Sequence, residues 1–161
     1  MAGAIPSPMA ISPGLATSLT AIGTIIDGAN DPWWIIASVA VALHGADPGS
    51  VGDVDVLLSV ADARHILPAI GIELREGSAH ASFWSSIFGR WTKTALPVEF
   101  MADFHRYSGM AWVPVLPTTR QAIEVDGTVV FIPERAEMET MIAEFGRPKD
   151  IERACRLAAL T

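Results

Sequence analysis

The stretch from Ile35 to Leu58, IIASVAVALHGADPGSVGDVDVLL, constrains the fold more than any other part of the chain. Trp33 to Ala37 is wholly apolar, as a strand covered on both faces has to be. Ser38 is suited to cap a short helix from Val39 to His44, with Gly45 to close it. Ala46 to Gly52 is a Pro/Gly/Ser loop, and Val51 to Val60 reads as a second strand carrying Asp53 and Asp55. Two carboxylates in an apolar strand are costly, because an unpaired buried charge is strongly disfavoured. Something cationic is therefore expected beside them.

The charge distribution narrows what that cation is. No Lys or Arg precedes Arg64, whereas Asp27, Asp31, Asp47, Asp53, Asp55 and Asp62 all do, and Arg147, Lys149, Arg153 and Arg156 crowd the other end. The early acids suit metal ions, and the late bases are placed to face those acids or an anionic ligand. A net charge of -7 argues against general nucleic-acid binding, which needs a basic footprint to displace counterions from phosphates. The 161 residues are expected to form one domain, residues 1–161, with residues 1–11 as a flexible arm. The longest apolar run, Trp33 to Leu43, falls short of the roughly 20 residues a bilayer crossing needs. The N-terminus lacks the positive region of a secretory signal. The one cysteine, Cys155, permits no intrachain disulfide, so a cytoplasmic location is expected.

Along the chain, Ser12 and Pro13 signal a helix start, and Leu15, Leu19, Ile22 and Ile26 recur on one helical face. Ala61 to Ile70 reads as a helix ended near Pro68, and Ile72 to Arg75 and Ser82 to Phe88 as strands. LPVEFM, Leu96 to Met101, alternates so that Glu99 stands opposite Leu96, Val98 and Phe100. Arg106 to Thr119 reads as irregular. The Asp126-Gly127 dipeptide between AIEV and TVVF is the pair a type I′ hairpin turn prefers. Two helices follow, the first burying Met138, Met141, Ile142 and Phe145, the second turning Ile151, Ala154, Cys155 and Ala158 inward. The implied architecture is α/β, a mixed sheet flanked by helices.

Alternation puts Asp53 and Asp55 on one face of their strand, about 6 to 7 Å apart. Glu99 completes a set of three hard oxygen ligands if its strand lies alongside, the donor set of a magnesium site that also takes substrate phosphates. Two such ions about 4 Å apart can serve both the attacking and the leaving oxygen of a phosphoryl displacement. An edge strand facing solvent is the plainer reading of the two aspartates alone. The capped helix start adds weight to the first reading, since helix N-termini offer donors to phosphate. The histidines show no metal-ligand spacing, and Cys155 reads as a small core residue. Trp33 and Trp34 read as core, and Arg90 and Lys93 as members of a solvated loop by default, with phosphate partners as the alternative.

In combination these residues resemble a known family. The order Ala37-Ser38, Leu43-His44-Gly45, Asp53-Val54-Asp55-Val56, then Val98-Glu99-Phe100 is similar to the nucleotidyltransferase superfamily of the DNA polymerase β type. The small bacterial members related to antibiotic nucleotidyltransferases and AbiEii-type toxins are the nearest in character. Gly146-Arg147-Pro148-Lys149-Asp150 resembles the Arg-x-Lys-Asp motif many of them carry before a final helix. The likeness covers roughly residues 33 to 160. It implies two Mg2+ ions held by Asp53, Asp55 and Glu99, and a nucleoside triphosphate as substrate. Ala37, Ser38, Lys149 and Asp150 are implied to lie at the nucleotide, and a hydroxyl on a small molecule, protein or RNA is the implied acceptor. The chain departs from the pattern where Ala37 replaces a glycine and where Ala46 to Gly52 contains no arginine. Those departures keep a second expectation open, a non-catalytic module of the same fold, such as one half of a toxin and antitoxin pair. A homodimer is a further expectation, because so short a chain leaves little room for a separate acceptor domain.

Overall fold

The computed structural model describes residues 11–78 and 80–161. The expected arm, apart from residue 11, lies outside them. The helix signalled by Ser12 and Pro13 is α1 (Pro13–Ile25), and the Ser12 hydroxyl accepts the Leu15 N–H at 3.2 Å. Leu15, Leu19, Ile22 and Ile26 are buried along one side of it, as the spacing requires.

Strand β1 (Trp34–Ile36) and helix α2 (Ala37–Leu43) follow, then β2 (Val54–Leu57), α3 (Val60–Ala69), β3 (Arg75–Gly77), β4 (Phe83–Trp91), β5 (Val98–Tyr107) and β6 (Trp112–Pro114). A hairpin of β7 (Gln121–Val125) and β8 (Thr128–Ile132) leads into α4 (Arg135–Phe145) and α5 (Pro148–Ala158). The main sheet has the order β1-β2-β5-β4-β3, with β6 added to β5. The β2–β5 pair is parallel and the other pairs are antiparallel, so the sheet is mixed. The hairpin turns on Asp126 and Gly127, both with positive φ, as a type I′ turn demands. Asp62 is buried and holds the turn before β1, accepting the N–H groups of Asn30 and Asp31 at 3.0 and 2.9 Å.

Several boundaries differ from the sequence reading, each for a local reason. Helix α2 begins at Ala37, where φ is 61°, so Ile36 is its N-cap and Ser38 lies inside the first turn instead of capping it. Strand β2 begins at Val54, which leaves Asp53 just ahead of the ladder. Strand β5 runs on to Tyr107, and the stretch expected to be irregular contains β6. The last helix presents a different face from the expected one. Of the four residues assigned inward, Ala154 is buried, while Ile151, Cys155 and Ala158 are exposed and Asp150, Arg153 and Leu157 are buried with it. Apolar periodicity misjudged this helix because its inward polar groups have specific partners to meet.

Candidate active site

The turn at Ala37 carries the chain from β1 into α2 at the edge of a cavity of about 380 Å³. A left-handed φ on a residue with a Cβ costs about 1–2 kcal/mol, and Ala37 bears that cost at a position where glycine would not. Ser38, in the same turn, lines the cavity and is buried.

Opposite it, the ladder registers bring the acids together. Asp55 pairs with Ile36 of β1 on one side and with Glu99 of β5 on the other. Asp53, just before β2, reaches the same place. One carboxylate oxygen from each of Asp53, Asp55 and Glu99 lies within 4.8 Å of the others. Among the described residues no other group of three acidic, histidine or cysteine ligands is so close. A larger depression, about 720 Å³ between the end of α1 and the β7–β8 hairpin, contains none of the three.

Burial is the main reason the Asp55 carboxyl is held well above its ordinary range, with the neighbouring Asp53 and Glu99 charges adding to it and Arg147 opposing it. Glu99 is raised by burial and by Asp53, against the pull of Arg90. Arg90, opposite Glu99 on β4, donates from Nη1 to Oε2 at 2.6 Å. One guanidinium therefore answers one of three clustered acids. The donor set, three hard oxygens with too much negative charge for their surroundings, fits a divalent cation.

The cationic side of the cavity is built by the start of α5. Arg147, Lys149 and Arg153 line it. Asp150, the third residue of the helix, is wholly buried and is not among the lining groups. Its carboxylate accepts from Arg147 Nε at 2.6 Å, Nη2 at 3.1 Å and the backbone N–H at 3.2 Å, and Arg153 lies 3.9 Å away. Arg153 in turn donates from Nε to Pro48 O at 2.7 Å and from Nη2 to Ser50 O at 2.9 Å. Arg156 Nη1 reaches Asp47 O at 3.1 Å. The loop without an arginine of its own is thus pinned by arginines from α5, which the charge segregation along the chain foreshadows.

A third wall is aromatic. Phe83, Phe104 and Phe145 pack with ring centroids 5.0 to 6.2 Å apart, and the Arg147 guanidinium sits 5.1 Å over Phe83. His80 lines the same cavity and accepts the Ser82 N–H at Nδ1, 3.0 Å away. Sequence patterning holds no signal for this cluster, whose members come from β4, β5 and the end of α4. Lys93 is absent from the lining. His44 is held instead by Pro133 O, 2.9 Å from its Nε2, and burial lowers its pKa.

No protein-family profile matches the sequence, and no curated protein matches it. Solved structures do. A candidate nucleotidyltransferase from Thermotoga maritima superposes with a TM-score of 0.60 at 17% identity, over 78% of this chain and 81% of its own. The lincosamide antibiotic adenylyltransferase LnuA, solved with lincomycin bound, gives 0.58 at 8% identity, over 89% and 96%. ANT(2'')-Ia in complex with adenylyl-2''-tobramycin gives 0.53 at 13% identity, over 89% and 86%. With its mixed sheet and flanking helices, the chain has the nucleotidyltransferase fold.

Proposed function

We propose that the protein transfers a nucleoside monophosphate from a nucleoside triphosphate to an acceptor hydroxyl, with Asp53, Asp55 and Glu99 holding two Mg2+ ions. The observation that carries this reading is the convergence of three carboxylates to within 4.8 Å in a cavity whose other wall is cationic. Bound magnesium supplies charge neutralisation for the triphosphate and for the attacking and leaving oxygens. Lys149 faces the phosphates from the wall that Arg147 and Arg153 hold in shape, and the turn at Ala37 and Ser38 receives the phosphates' far end. Asp150 acts by fixing the direction of Arg147 and Arg153. In the reaction the acceptor oxygen bonds to the α-phosphorus, the bond to the bridging oxygen breaks, and pyrophosphate leaves. Glu99, in the cavity beside Asp53 and Asp55, takes the hydroxyl proton. LnuA and ANT(2'')-Ia, whose bound molecules are an antibiotic and an adenylylated antibiotic, support a small-molecule acceptor.

Calorimetric titration with ATP, GTP, CTP and UTP, each with and without Mg2+, tests the reading. At least one nucleotide is expected to bind only with the metal, and Asp55→Asn to abolish that binding. Failure of all four to bind in a metal-dependent way would reject the transferase and favour the non-catalytic module.

A further inference from the structure

The row of site residues has an apolar neighbour on the same face of the sheet. Strand registers align Ile36, Asp55, Glu99 and Arg90 across β1, β2, β5 and β4. Two residues along, the same registers align Trp34, Leu57, Met101 and Phe88. Residues two apart on a strand share a face at about 6–7 Å, so the second row lies directly beside the first.

Over Trp34, Leu57 and Met101 of that second row opens a groove of about 500 Å³, also lined by Leu58, Val115 and Leu116 among others. Met101 and Phe104 line both this groove and the cavity with the carboxylates. The segment that forms the outer wall is fixed in place. Glu137 of α4 accepts the N–H groups of Thr118 and Thr119 at 2.8 Å each, and their hydroxyls at 3.0 and 2.6 Å. Trp34 Nε1 donates to Thr119 O at 2.8 Å, and the Val115 N–H to Phe104 O at 2.8 Å. Leu116 nevertheless keeps 71% of its surface exposed. A wall anchored this firmly while holding a large apolar side chain in water is arranged for something to pack against.

We propose that this groove is the acceptor subsite, and that the acceptor is a small apolar molecule with an aromatic or alicyclic body and a terminal hydroxyl. The inference rests on the nucleotide transfer proposed above. A volume of this order matches small-molecule sites, most of which are apolar with a few polar groups. The lining is mainly apolar, with Asp31 and Asp103 as its carboxylates. A body seated on the second row directs its hydroxyl one row along, toward Asp55 and Glu99, where its oxygen displaces pyrophosphate from the α-phosphorus and its proton passes to Glu99.

The test incubates the full chain with magnesium and the nucleotide that binds, offering either naphthylethanol or tobramycin, and follows the nucleotidyl ester by mass spectrometry. Nucleotide binding is measured in parallel. The alcohol is expected to be modified and tobramycin not. Leu116→Asp, a change at an exposed position that the fold tolerates, is expected to raise KM for the alcohol about tenfold, the scale on which apolar pockets discriminate, and to leave nucleotide affinity unmoved. Three outcomes overturn the subsite with the transferase still standing: a preference for tobramycin, a KM indifferent to Leu116→Asp, or a protein that binds Mg–nucleotide but leaves the alcohol unmodified. Absence of metal-dependent nucleotide binding rejects the transferase itself.

Discussion

Two clusters of charge face each other across one cavity, and they are in opposite electrostatic condition. At the start of α5, Asp150 is enclosed by Arg147 and Arg153, and Arg153 is spent on the carbonyls of Pro48 and Ser50. On the sheet, Asp53, Asp55 and Glu99 crowd together with Arg90 as their nearest cation. The first cluster is complete as it stands, so its work is to hold shape. The second crowds three acids around one guanidinium, an imbalance that a bound cation would relieve. Charge alone does not mark a functional group; charge without internal compensation does.

The contrast predicts opposite signs for neutralising each side. Asp150→Ala leaves two arginines without their buried partner and is expected to destabilise the fold by about 3–5 kcal/mol, the cost of breaking a buried pair. Asp55→Asn removes repulsion and is expected to raise Tm in metal-free buffer while Mg2+ no longer adds to it. Chemical and thermal denaturation of the two variants checks both, and a Tm lowered by Asp55→Asn would undo the contrast.

The pH dependence sharpens the same point. Asp55 and Glu99 have carboxyls raised in the folded state, so the native protein retains protons that the unfolded chain releases. Between the ordinary carboxylate range and the raised values, their contribution to stability falls as pH rises. Magnesium competes with those protons. Its stabilising effect is therefore expected to grow as pH rises from the ordinary carboxylate range through the raised values, read as the difference in Tm with and without the ion. An effect that stays constant or shrinks would mean the carboxylates do not hold the metal. The smallest effect is local. Ala37→Gly relieves the left-handed turn and is expected to stabilise by about 1 kcal/mol, measured by denaturant titration.

The legible parts of this molecule are those that a short stretch of chain determines. Ser12-Pro13 starts α1, Asp126-Gly127 turns the hairpin, and Gly146, with φ of 78°, ends α4. The meeting of Asp55 with Glu99 was legible only in part, because alternation marks which face each acid takes while the parallel pairing of β2 with β5 is a long-range contact that no local pattern records. Other features depend on pairings far along the chain. Arg90 meets Glu99 through strand register, and Phe83, Phe104 and Phe145 meet through packing of three elements. The face of α5 was misread because Arg153 goes inward to bind backbone carbonyls, a partner no hydrophobic pattern records. Ala37 was visible as a departure from glycine, but its φ of 61° was not, since only the turn into α2 imposes it.

The bond from Arg153 to Pro48 spans 105 residues. During synthesis the loop and the aspartates that follow it leave the ribosome long before the helix that pins them. The loop ahead of the aspartates therefore waits for α5 before the Pro48 and Ser50 carbonyls find their arginine partner. In this arrangement the cationic wall of the cavity is the last part of it to be synthesised.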